Sequence, residues 1–180
     1  MSKLVTAEVE MAQTLESLEP APHAPDWPAA AVAGLAAGAI LMVLDLFWST
    51  AVMGTGPWIT SRRIAAIFLG PETLKVADFS VGIVALALVV HYSLGVFSGV
   101  ALAAIFSRLR YGATVSMDLL VGAIFGFVIY IVNFHVLTRV FPWFAESRGM
   151  ATLLAHLVFG MSAAFLYWRL ERRELAAASA

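Results

Sequence analysis

Two histidines of this chain sit in the same local pattern. His91 opens His91-x-x-x-Gly95-x-x-x-Gly99, and His156 opens His156-x-x-x-Gly160-x-x-x-Ala164. Two more polar residues are matched in the same way. Asp45 follows Gly34-x-x-x-Gly38 by seven residues, and Asn133 follows Gly122-x-x-x-Gly126 by seven. All four lie in long apolar stretches. Ionisable side chains are costly there, and are expected to be paired or to face a cavity.

Three chemistries fit these residue types. In the first, His91 and His156 ligate a haem b iron from opposite sides through neutral imidazole nitrogens. Gly95 and Gly160, one turn away on the same stripe, then leave room for a porphyrin plane. Asp45 and Asn133 hold the second imidazole nitrogens and fix the tautomers. A porphyrin-free variant places a single transition metal among His91, His156 and Asp45, with His135 as a further candidate. In the second, Asp45 and the histidines relay protons, extended by Tyr92, Tyr130 and Tyr167, with Asp118 and Ser116 at the opposite end. In the third, the polar residues are ties between helices, Asp45 to His91 and Asn133 to His156. Hydrolytic chemistry has little footing: no G-x-S-x-G, H-E-x-x-H or phosphate loop is present. The chain is not expected to be a catalyst on its own.

The elements that must position these residues are membrane spans. Hydrophobic residues make up 61% of the 180-residue chain and charged residues 13%, with a mean hydropathy of +0.88. A soluble domain carries roughly half apolar and a quarter charged residues, so the composition is that of a membrane protein. Net charge of -1 gives no reason to expect nucleic acid as a partner. The absence of cysteine excludes disulfides and thiolate chemistry. Four stretches, near 29–54, 79–109, 115–141 and 150–170, are long enough to cross a bilayer as helices.

The matched motifs recur in the same order, and the connectors echo them: Pro57-Trp58 and Ser61-Arg62 against Pro142-Trp143 and Ser147-Arg148. That order points to an internal duplication. The reading is an all-α, integral membrane four-helix bundle, built from two parallel two-helix repeats with a pseudo-twofold axis along the membrane normal. Residues 1–28 form an acidic, Pro-rich tail, 29–110 repeat 1, 111–172 repeat 2 and 173–180 a C-terminal tail. Within the first tail, Leu4, Met11, Leu15 and Leu18 could line one face of a short helix, and Pro20 to Pro28 keep the chain extended before span one. Residues 58–69 read as an interfacial helix ended by Gly70-Pro71. Trp58, Trp143 and Phe144 fit an aromatic belt. The small-x-x-x-small pairs read first as helix-packing surfaces. His135 is expected at the interface, His23 in the tail, and Asp118 as a cap on span three. Basic residues after span four favour cytoplasmic termini.

The segments Asn133-Phe134, Phe141-Pro142-Trp143-Phe144-Ala145 and Ala155-His156-Leu157-Val158-Phe159-Gly160 resemble a family of small four-span bacterial inner-membrane proteins, often labelled sodium:proline symporter. Ile64 to Pro71 and Val90-His91 fit it too. The resemblance covers about residues 29–170 and implies the four-span fold and the bacterial inner membrane, without an activity. Transporters of that name use broken helices at mid-membrane, whereas these spans carry no internal proline. The expected function is therefore a haem- or metal-binding accessory subunit of a respiratory or redox membrane assembly. A proton-relay or channel-like protein and a purely structural bundle subunit stand as alternatives. The expected partners are membrane lipid and a larger membrane complex or a second copy.

Overall fold

A computed structural model describes residues 24–76, 78–109 and 114–178. The expected short helix at Leu4 to Leu18 and the position of His23 lie outside the described residues. The described residues form five α-helices: α1 Trp27–Phe47, α2 Ile59–Leu69, α3 Val81–Leu109, α4 Val115–Ile131 and α5 Met150–Ala178. No strand occurs among the described residues. Four segments among the described residues are long and apolar enough to cross a membrane: Trp27–Val52, Val81–Leu109, Val115–Arg139 and Met150–Arg173. The chain is an all-α bundle of the multi-pass membrane type, as its composition predicts.

The two first helices of the repeats begin alike. Asp26 caps α1 by accepting the Ala29 N–H at 2.9 Å, and Thr114 caps α4 by accepting the Met117 N–H at 3.4 Å. Each side-chain oxygen satisfies one of the donors that a helix N-terminus leaves open. Pro28 lies inside the first turn of α1, where a missing N–H costs nothing, so the helix starts ahead of the expected position 29. Thr114, not Asp118, is thus the cap of span three. Asp118 is buried within the first turn, where the helix dipole favours a carboxylate.

Glycine explains the pairing within each repeat. A Cβ on Gly34 would collide with the carbonyl oxygen of Gly95 and with Gly99, and one on Gly99 would strike the Ala30 carbonyl. In the second repeat a Cβ on Gly122 would lie 2.5 Å from the Gly160 oxygen, and one on Gly126 would strike the His156 carbonyl. So α1 docks on α3, and α4 on α5, by backbone contact that only small residues permit. The two hairpins meet through α1 and α5, whereas α3 and α4 barely touch. Residue size accounts for this. Ala29, Ala30, Ala33 and Ala37 give α1 a low surface against Ala163, Ala164 and Phe159 of α5. The corresponding face of α4 carries Met117, Val121 and Phe125, which hold a neighbour further off.

Candidate functional site

Both first helices lose α-register at the same end. α1 runs into a π-helical turn at Trp48–Val52, and α4 into one at Val132–Val136. Such turns are rare and concentrate at functional sites. They loosen the backbone, and hydroxyls take up carbonyls that the wider turn leaves exposed. Thr50 Oγ1 donates to the Leu46 carbonyl at 2.6 Å, and Ser49 Oγ to the same carbonyl at 3.1 Å. Arg148 does this in the second repeat, donating from Nε to the Phe134 carbonyl at 2.5 Å and from NH2 to Thr138 Oγ1 at 2.8 Å. Asp45 stands just ahead of the first π-turn, and Asn133 within the second.

His91 and His156, equivalent in sequence, have different partners. His91 donates from Nε2 to the Gly38 carbonyl at 2.8 Å, across the α1·α3 contact. His156 donates from Nδ1 to the Thr152 carbonyl at 2.8 Å, within its own helix. The glycines explain the divergence. At Gly38 the packing is looser, and the nearest atom to an added Cβ is His91 Nε2 itself, at 3.7 Å. At Gly126 the His156 backbone already fills that space, so its ring cannot swing under α4. The ring rests instead against Phe134 and Tyr130, with centroids at 5.3 and 6.0 Å, and is 6% exposed.

Asp45 and Asn133 are both half-buried in spans and hold no side-chain hydrogen bond among the described residues. The ties expected from Asp45 to His91 and from Asn133 to His156 are therefore replaced, on the histidine side, by backbone carbonyls. His135 is exposed, its ring 5.6 Å from that of Tyr130.

The fit of a cofactor follows from these contacts. The space beside Gly95 is taken by the Gly34 carbonyl, 2.9 Å from an added Cβ, and that beside Gly160 by Gly122 and Gly126. A porphyrin does not fit on either glycine stripe, since each is occupied by a neighbouring backbone. Among the described residues no three His, Asp or Glu side chains converge closely enough to hold a metal ion.

Sequence reasoning missed the contact between the connectors. Arg63 of α2 forms an ion pair with Glu146 at 2.7 Å and donates to Ser147 Oγ at 2.9 Å. Trp143 Nε1 donates to the Arg63 carbonyl at 3.0 Å. A helix is present where one was expected at 58–69, as α2, and these contacts clamp it onto the 3₁₀ turn Pro142–Ser147. The echo of Ser61-Arg62 in Ser147-Arg148 signalled duplication, but not that the two copies touch.

The fold is that of a multi-pass helical membrane protein, with polar side chains set within helices long and apolar enough to cross the bilayer. No protein-family model, curated protein or solved structure matches the chain.

Proposed function

We propose that this protein is an accessory subunit of a membrane assembly, lying in the bacterial inner membrane with both termini cytoplasmic. Its work is to present Asp45 and Asn133 to a polar group on a neighbouring transmembrane helix. The observation that carries this reading is the state of Asp45. A carboxylate in a span costs about 2.5–3.5 kcal/mol on insertion scales, yet Asp45 accepts no hydrogen bond among the described residues. Its repeat counterpart Asn133 is in the same position, and each sits at a π-turn. A donor on another helix satisfies both. The rest of the bundle is suited to hold them still, with glycine-locked hairpins and connectors clamped by Arg63.

The relay alternative is less well supported. The Asp45, His91 and His156 cluster lies toward one face. Between it and Tyr167 and Asp26 the core is built from Ala33, Ala37, Leu102, Ala163 and Phe159, which carry no proton.

The test is gentle solubilisation of native membranes followed by separation of intact complexes. The tagged wild-type chain should migrate in a larger assembly, and Asp45→Leu and Asn133→Leu should release it as the free bundle. Unchanged migration of both variants would overturn the proposal.

A further inference from the structure

The end of the bundle opposite the polar cluster carries a second feature. Residues of α1 and α5 line a groove of about 280 Å³ there. Its walls are Val32, Ala33, Ala36, Leu166 and Leu170, and Arg169 and Arg173 stand at its rim. Arg169 and Arg173 are four residues apart on α5, so both reach the same side. Both are exposed, and neither forms an ion pair or hydrogen bond among the described residues. Two described carboxylates nearby have partners of their own. Glu171 meets the Tyr167 hydroxyl at 3.3 Å, and Asp26 caps α1. Arg172 lies over the Trp168 ring at 4.8 Å and adds a third positive charge beside the groove.

We infer that this groove binds an anionic phospholipid, its acyl chain against Val32, Ala36, Leu166 and Leu170 and its phosphodiester on Arg169 and Arg173. The depth is right. The arginines close the span Met150–Arg173 at the end where Trp27 opens α1, so they lie at headgroup level while the groove lies below. Trp27 and Trp168 are the aromatic residues expected in that layer. Guanidinium forks match phosphate oxygens in bidentate geometry, and their aliphatic stems cover apolar wall on the way. Basic pockets between spans are known sites for acidic headgroups. A zwitterionic lipid fills the same apolar groove but brings its own cation toward the arginines.

The experiment uses the full chain, purified in neutral detergent and titrated with dioleoyl phosphatidylglycerol or dioleoyl phosphatidylcholine, with bound lipid counted by native mass spectrometry. Phosphatidylglycerol should be retained in preference to phosphatidylcholine. The double variant Arg169→Gln/Arg173→Gln should bind it about 27-fold more weakly, at roughly 1 kcal/mol per arginine and 1.4 kcal/mol per factor of ten. Arg139→Gln, which removes a charge from the opposite face, should bind as the wild type does, and soluble glycerol phosphate should not displace the lipid. Equal retention of the two lipids, or undiminished binding by a double variant of wild-type thermal stability, would overturn the inference. Displacement by glycerol phosphate would do so as well, by making the site one for a free phosphate.

Discussion

His91 donates from Nε2 to the carbonyl of Gly38, 2.8 Å away on the facing helix, whereas His156, its counterpart in the repeat, bonds only within its own helix. One histidine is a tie between spans and the other a filler between rings. The difference comes from how closely glycine lets each pair of helices approach. Duplicated sequence therefore does not guarantee duplicated chemistry.

The first prediction follows directly. His91→Leu removes an interhelical hydrogen bond, which in membrane bundles averages about 0.6 kcal/mol and reaches about 1.7. It should lower unfolding stability in mixed micelles by that order. His156→Leu removes only an intrahelical contact and keeps an apolar body against Tyr130 and Phe134. It should cost less. A larger loss at His156 than at His91 would contradict this account.

Glycine substitutions should separate sharply by position. Gly126→Ala and Gly160→Ala each place a methyl against a carbonyl of the opposing helix. Overpacking of this kind costs about 1–3 kcal/mol. Gly82→Ala meets nothing nearer than Ser80 Oγ at 4.0 Å, so it should be neutral or slightly stabilising. Thermal unfolding of the three variants, followed by circular dichroism, provides the comparison.

The Arg63–Glu146 pair spans the two repeats, but Glu146 is 74% exposed. Exposed pairs contribute about 0.2–1 kcal/mol and weaken in salt. A double-mutant cycle with Arg63→Ala and Glu146→Ala should return a coupling in that range at low ionic strength. Trp143→Phe, which deletes the donor to the Arg63 carbonyl, should speed hydrogen exchange in α2. Exchange at the wild-type rate would show that the clamp does not hold that helix.

Asp45→Leu should act in opposite directions on two measurements. Removing a carboxylate that has no partner within the bundle should raise the thermal stability of the isolated protein. The same change should weaken its association in native membranes. A variant that is destabilised in isolation would show that Asp45 serves the bundle's own fold.

Much of the architecture is legible in the chain because lipid restricts the options. Four apolar segments with no water to satisfy their backbones must be helices. The recurrence of Gly34, Gly38 and Asp45 in Gly122, Gly126 and Asn133 marks them as copies. Asp26 and Thr114 occupy corresponding places as caps, whereas the residue types at the start of span three point to Asp118. The π-turns left no such mark. They arise from a backbone choice at the membrane edge, where Trp48–Val52 and Val132–Val136 share no distinctive residue pattern.

The amino-acid order by itself determined the class and the spans, since both rest on local composition and on the length of each apolar segment. Only the tertiary structure decided what each polar group touches. Whether a histidine reaches a glycine carbonyl or is shut out depends on a few ångströms of interhelical distance. That distance is set jointly by small residues far apart in the chain: Gly38 with Gly95, and Gly126 with the backbone of His156. The same holds for Arg63 and Glu146, and for the lipid groove between α1 and α5. Their geometry belongs to pairs of helices, and no single segment encodes it.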